Sequence, residues 1–409
     1  ADFDRMIGDY LRRHELSTVE SADLAEAIEL ASGRNFSWFF EDWVVNGGGH
    51  PRFDVSYRWV PERKSVDLTV KQIQADLPFE NEFRLPVDVE IEDDAGTTAH
   101  RVELSGWSTT ASLPASSRPK RVTFDKGGWL VCEVRYERPI GEVLDELDRG
   151  DLAAKLRAAR QLSTDFPRDP RTAAALSRML SDSSAHWGLK QEAALDLGRA
   201  GGAAAAASLE KALFDPGPRV RRAAALALGS CGQASSESAL RHAVENDAAE
   251  DVVAAAEISL GRLGAAGTKD YLTRQLSRPS RWWDSVRLGA LLGLGRLEDS
   301  SLSPVFEVYT DPRYVQDVRV AALEAWMAAS PNDPRLAEKL RALTADRNRT
   351  VREKAIPALG KLHHASDLPL FENLAEDPDP TAASYARDAI EEIEAFTGPS
   401  GAAKAGGRR

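Results

Sequence analysis

The stretch Val220-Arg221-Arg222-Ala223-Ala224-Ala225-Leu226-Ala227-Leu228-Gly229 decides the fold, because its pattern recurs along the chain. Segments starting at Leu189, Val220, Val252, Val286, Val318, Val351 and Ala382 all carry alanine four positions on: Ala193, Ala224, Ala256, Ala290, Ala322, Ala355 and Ala386. Eight positions on stand Leu197, Leu228, Leu260, Leu294, Trp326, Leu359 and Ile390. Nine on, glycine fills five of the seven copies: Gly198, Gly229, Gly261, Gly295 and Gly360. A degenerate copy begins near Leu156. Between these helices lies a second apolar set at helical spacing, such as Leu209 with Leu213 and Leu240 with Val244. A helix pair of this length cannot bury its own apolar stripe, so it must stack on its neighbours. The alanine column predicts close helix approach, and the glycine is expected to end the inner helix. Together with the turns Asp215-Pro216, Asp311-Pro312 and Asp377-Pro378, the period resembles short HEAT-like repeats.

Upstream the composition changes twice. Phe3, Met6, Ile7, Tyr10 and Leu11, then Leu24, Ala27 and Ile28, and later Phe36, Phe39, Phe40 and Trp43 recur at helical spacing, and Asn46-Gly47-Gly48-Gly49-His50-Pro51 stops the helices. From Arg52 the period is two: Phe53, Val55, Tyr57 and Trp59; Val66, Leu68 and Val70; Phe83 through Ile91; Val102 with Leu104; Val122 with Phe124; Leu130 through Val134. About six short strands predict a small antiparallel sandwich, with Pro78, Pro86 and Pro114 at edges or breaks. The expected organisation is therefore multidomain α and β. Residues 1–49 are the end of a helical domain and 50–138 a β-sandwich. Residues 139–397 form an α-solenoid, and 398–409 a disordered tail.

Across 409 residues, 43% hydrophobic and 28% charged composition describes a globular chain, too long for one core. A net charge of −12 argues against a broad nucleic-acid or anionic-membrane surface, and no apolar run is long enough to span a bilayer. Two cysteines, Cys132 and Cys231, make neither a disulfide scaffold nor a metal knuckle. The chain opens inside amphipathic sequence with neither a starter Met nor a signal peptide and reads as a piece of something longer. Its compartment is left open, with the cytoplasm slightly favoured.

The search for chemistry returns no catalytic constellation and no metal site. His14-Glu15 opens an H-E-x-x-H motif, but Thr18 stands where the second imidazole belongs. Adjacent His363 and His364 diverge on a helix. No nucleophile elbow, Walker loop or dinucleotide fingerprint occurs. What repeats instead is a basic residue after the anchor: Lys190, Arg221, Arg287, Arg319 and Arg352. Acidic residues recur with the same period, among them Asp215, Asp247, Asp284, Asp346 and Asp377, so an intramolecular ladder is favoured over a stripe that receives an acidic peptide or protein. Trp282 and Trp283 are read as packing under an expanded repeat in preference to an exposed binding platform.

The first 140 residues carry a resemblance. Ser32-Gly33-Arg34-Asn35-Phe36-Ser37-Trp38-Phe39-Phe40-Glu41-Asp42-Trp43 resembles the last catalytic-domain helices of aminopeptidase-N-like (gluzincin) zinc metallopeptidases, with the pattern "s-G-x-d-l-x-x-f-f-x-x-W". Ser17-Thr18 with Asp23-Leu24 resembles the family's "t-x-x-d-l" helix entry. Val70-Lys71-Gln72-Ile73-Gln74 and Phe83-Arg84-Leu85-Pro86-Val87-Asp88-Val89 resemble its small β-domain. Val122-Thr123-Phe124-Asp125-Lys126-Gly127-Gly128-Trp129-Leu130 resembles the strands before its helical domain, which in some bacterial members is built of HEAT-like repeats. The resemblance implies a C-terminal portion that shapes or covers a peptide substrate's cavity. In the intact parent it implies zinc-activated water attacking an N-terminal peptide bond, with the zinc ligands upstream of the matched region. No cofactor is expected in this chain itself. The rival reading is a catalytically inactive HEAT scaffold that binds a protein or peptide on its solenoid. A likeness to bilin-lyase HEAT proteins ranks last, because it leaves the first 140 residues unexplained.

Overall fold

The computed structural model describes residues 2–45, 49–74, 81–278, 280 and 283–397. The expectations for Asn46, Gly47 and Gly48 as a helix stop, for Pro78, for Trp282 and for the tail 398–409 lie outside the described residues. The fold is mixed: helices dominate, with small sheets in the first part and a helical repeat region behind them. The chain divides into two compact units, Ala1–Leu162 and Ser163–Arg409.

The first unit opens with α1 (Asp2–Arg13), α2 (Ser21–Ser32) and α3 (Ser37–Phe40), the last running into a π-turn over Glu41–Val45. A reciprocal capping box starts α2: the Glu20 side chain takes an orphan N–H of the first turn, and Asp23 accepts from the Glu20 N–H at 2.8 Å. Gly33, at φ 66°, ends it with an N–H donated to the Glu29 carbonyl.

Seven strands follow: β1 (Arg52–Val60), β2 (Ser65–Gln72), β3 (Leu85–Asp93), β4 (Gly96–Leu104), β5 (Ser108–Pro114), β6 (Arg121–Phe124) and β7 (Glu133–Tyr136). They form two sheets, ordered β5-β2-β1-β7 and β4-β3-β6. Phe53, Val55, Val66, Leu68 and Val70 of one sheet and Val87, Val89, Ile91, Val102 and Val122 of the other share a core. Two features depart from expectation. Strand β5 buries only Leu113, so its sequence lacks the alternation that marks a strand. Strand β7 pairs parallel with β1, because the chain reaches it by crossing over from the other sheet after β6. Pro86 is tolerated because β6 pairs only with Val89–Glu92 of β3, leaving that end of β3 open on one side.

Helices α4 (Ile140–Arg149) and α5 (Leu152–Asp165) come next. Buried Arg138 donates to Glu146 on α4, and the Tyr57 hydroxyl donates to Glu142 at 2.6 Å, tying α4 to the sandwich.

The repeats alternate one helix of the alanine column with one of the second apolar set. The first comprise α7 (Trp187–Ala200), α9 (Pro218–Cys231), α11 (Glu250–Leu263), α13 (Ser285–Gly295), α15 (Gln316–Ala329), α17 (Arg349–Gly360) and α19 (Pro380–Thr397). The second comprise α6 (Pro170–Ser181), α8 (Ala203–Ala212), α10 (Glu237–Asn246), α12 (Thr268–Gln275), α14 (Ser303–Tyr309), α16 (Pro334–Leu343) and α18 (Leu368–Leu374). All seven column alanines are fully buried, as close packing requires.

The glycine column ends its helix, as expected, only at Gly295 and Gly360, the last residues of α13 and α17. Gly198, Gly229 and Gly261 lie within their helices, not at the ends. A Cβ on Gly198 would stand 2.9 Å from the Ala227 backbone, and one on Gly261 only 2.0 Å from the Gly293 carbonyl oxygen. The glycines exist so that neighbouring backbones can touch. In α7, α9 and α11 the stop lies three residues later, at Gly201, Gly232 and Gly264, and the same offset after α13 and α17 holds Glu298 and His363, every one at positive φ. Glycine takes that left-handed conformation without strain; Glu298 and His363 take it at some cost.

Candidate functional site

The repeated basic residues project from the first turns of the alanine-column helices toward the turn that opens the next repeat. That turn is built by an aspartate whose carboxylate accepts the N–H two residues on: Asp215 from Gly217, Asp247 from Ala249 and Asp346 from Asn348, each at 2.8 Å. The remaining acceptor positions receive the cation of the preceding repeat. Lys190 donates to Asp215. Arg221 forks onto Asp247 at 2.7 and 2.9 Å and donates to the Asp215 carbonyl at 2.9 Å. Arg319, 4% exposed, forks onto Asp346 and donates to the Thr310 carbonyl at 2.9 Å. Its guanidinium holds the Asp346 carboxyl below the usual carboxylate range.

Two rungs differ. Arg287 donates backward, to the Leu276 carbonyl that follows α12 at 3.0 Å and to Asp284 just before its own helix, while its guanidinium lies over Tyr309 and Tyr314. Arg352 donates to the Asp346 carbonyl at 2.9 Å and pairs at 3.5 Å with Asp379. The structure pairs it with Asp379, not with Asp377 of the expected acidic set; Asp377 builds its turn by accepting from the Asp379 N–H. All four guanidiniums thus have internal acceptors.

Replacing Arg221, Arg287, Arg319 or Arg352 singly by alanine is expected to cost about 1–3 kcal/mol. The nearly inaccessible Arg319 should stand at the top and Arg352 at the bottom, and four urea melts with unshifted midpoints would remove the ladder. Sequence reading missed a second row of pairs, Lys269 with Asp299 at 2.6 Å and Arg341 with Asp367 at 2.5 Å, although it recurs at a similar separation.

Trp283 was expected to be packed away and is instead 72% exposed. Trp283 and Asp284 are consecutive left-handed residues at φ 48° and 60°, a path that brings the Asp284 carboxylate to Arg287 while the indole turns out to solvent.

The first unit holds a groove of about 560 Å³ lined by Trp38, Phe39, Trp43, Pro86, Trp129 and Leu130, among others. Arg84, which also lines the groove, donates from Nε at 2.8 Å and Nη2 at 3.0 Å to Asp42, 7% exposed, tying the π-turn to the residue that precedes β3.

Among the described residues no three His, Cys, Asp or Glu side chains converge as metal ligands. The His14 ring lies against Tyr10, His363 contacts Glu392 and Phe396, and His364 contacts Asp367. Burial pushes the Cys132 thiol up to about 12 and the Cys231 thiol to about 11, so neither supplies a thiolate at neutral pH. No helix among the described residues is long and apolar enough to cross a membrane.

A sequence profile of HEAT repeats matches residues 174–261 and, overlapping, 209–284, well under half of the chain. No curated protein matches. Among solved structures, aminopeptidase A of Legionella pneumophila, determined with aspartic acid, is similar with 14% identity and a TM-score of 0.55, over 96% of this chain and 49% of that one. This chain therefore spans about half the length of that aminopeptidase, and at such identity the likeness shows the fold. The complex of CpcE and CpcF of phycocyanin lyase from Nostoc sp. aligns at 19% identity and a TM-score of 0.35, over 66% of this chain and 93% of that one.

Proposed function

We propose that the chain is the non-catalytic C-terminal portion of a zinc-dependent aminopeptidase-like metallopeptidase, whose intact form hydrolyses N-terminal peptide bonds. In this reading residues 1–49 complete a catalytic domain, 50–138 are a β-domain, and 139–397 are a solenoid that shapes or covers the substrate cavity. The observation that carries it is the fold likeness to an aminopeptidase over nearly the whole of this chain but half of the other. It is supported by the order of helices, two-sheet sandwich and HEAT repeats, which is the order the sequence motifs follow. No donor set for zinc is assigned to the described residues, so the metal and its chemistry belong in this reading to sequence outside them.

A second reading, an inactive scaffold for a protein or peptide partner, is favoured by one feature: the solenoid displays Trp283 and, at 70% exposure, Phe214. Large exposed aromatics are the residues that anchor protein interfaces.

The experiment is a comparison of two polypeptides, this chain alone and the chain with its upstream coding sequence. This chain alone is expected to bind no stoichiometric zinc after dialysis and to release no amino acid from aminoacyl reporters. The extended polypeptide is expected to do both, and to contain H-E-x-x-H followed by a glutamate. One zinc per molecule in the short chain would overturn the non-catalytic assignment. An extended polypeptide without zinc or activity would leave the scaffold reading in its place.

A further inference from the structure

One position in the repeats breaks their rule. Five residues after each anchor stand Ala194, Ala225, Leu291, Leu323 and Ile356, all buried, and an exposed Arg387 in the final copy. In the copy that starts at Val252 the residue is Glu257, and it is fully buried too. Neither carboxyl oxygen has a hydrogen-bond partner. The carboxyl is wedged where α11 and α13 meet through glycines: a Cβ on Gly289 would lie 2.6 Å from Glu257 Oε2 and 2.4 Å from Ala254 Cα, and one on Gly293 only 2.5 Å from the Glu257 carbonyl oxygen. Nothing in that contact can accept a charge.

The groups around it do not compensate. After α12, the Arg278 guanidinium acts favourably on a carboxylate, yet it donates to the Val244 carbonyl at 2.5 Å. Tyr271 of α12 lies within electrostatic reach, with Arg241 of α10 stacked on its ring at 4.2 Å and Glu245 of α10 at 3.5 Å from its hydroxyl. Helix α9 turns Gly229 against Ser259 of α11, and α13 directs Arg287 to Asp284. Burial raises the Glu257 carboxyl well above the ordinary range, so the closed junction favours the protonated form.

We propose that the α11–α13 junction is a proton-dependent joint, closed while Glu257 is protonated and opened locally as Glu257 ionises. Each repeat contacts only its neighbours, so one opened junction divides the stack into two blocks without unfolding either. The sign follows from linkage. In the open junction Glu257 has its ordinary carboxyl pKa, near 4.3, and in the closed one a raised value. The ratio of open to closed is therefore unaffected by pH below the ordinary value. Between the two values it rises about tenfold per pH unit, because opening releases one proton, and above the raised value it is flat again.

Hydrogen exchange on the full chain reads this directly. Amides exposed by ordinary local opening exchange with a logarithmic rate that rises by about one per pH unit, from base catalysis alone. Amides of α11 and α13 are expected to rise by about two per pH unit between the ordinary carboxyl value and the raised one, one from catalysis and one from the released proton. Amides of α7 keep a slope of one. In Glu257→Gln and in Glu257→Leu, the second guarding against misfolding of the first, the slope in α11 and α13 should fall to one. A slope of one in the unsubstituted chain, a slope of two surviving in either variant, or a slope of two shared by α7 would each overturn the proposal.

Discussion

Replacing Gly261 by valine is expected to lower the stability of the repeat stack by on the order of 4 kcal/mol, in the range reached only by core disruption. The new Cβ would lie 2.0 Å from the Gly293 carbonyl oxygen, 2.6 Å from its carbon and 2.7 Å from its Cα. Those are backbone atoms of the facing helix and cannot rotate aside, so α11 and α13 must separate. Valine's better helix propensity than glycine recovers well under 1 kcal/mol and does not change the sign. Gly141→Ala is the matched control, since a Cβ there meets nothing within 4 Å. Urea melts give the comparison; a Gly261→Val midpoint at the control's value would mean that the helices do not touch there.

Glu257→Leu is expected to act in the opposite direction, stabilising the stack by about 1–3 kcal/mol at pH 7. Burial disfavours the charged carboxylate and leaves two carboxyl oxygens unpaired, and leucine removes both costs. Imperfect fit against Gly289 takes back part of the gain. The advantage must depend on pH. A carboxyl raised in the folded state favours folding most below its unfolded pKa and loses that contribution as pH rises toward its folded value. The difference between variant and parent should therefore be smaller near pH 4.5 and larger at pH 7. A gain of equal size at both values would show that packing, not protonation, is responsible.

The alanine column was legible because it is a property of periodicity: a small residue recurring at one helical phase can serve only a close contact, and all seven copies are buried. The glycine beside it was legible as a position but not as a role. Helix stop and close approach both call for glycine, and only the distance from Gly261 to the facing backbone separates them. Strand β5 escaped notice because an edge strand with one buried residue has no alternation to read. The ladder was legible in outline, since its cations and aspartates share a period. Which aspartate Arg352 reaches was not, because Asp377 and Asp379 share one turn and differ in what each carboxylate already accepts. Trp283 was misjudged for a related reason: a tryptophan is usually buried, but the left-handed path through Trp283 and Asp284 is set by the Asp284–Arg287 contact.

By itself, then, the sequence determined that the chain is helices, then a small sandwich, then a stack of HEAT-like repeats. Period and composition report which face of each element must be apolar, and stacking is the way such faces find cover. Only the tertiary structure decided which polar groups end up paired. Arg319 and Glu257 are both charged residues in repeat helices, and nothing in their local sequence ranks one above the other. In the fold Arg319 finds a carboxylate and a carbonyl from neighbouring loops, while Glu257 faces Gly289 and Ala254, which offer its carboxyl no donor. Hydrogen-bond partners across a stack come from residues some 30 positions away. Their identity is fixed by how closely two helices approach, a distance that the pattern of one helix does not contain.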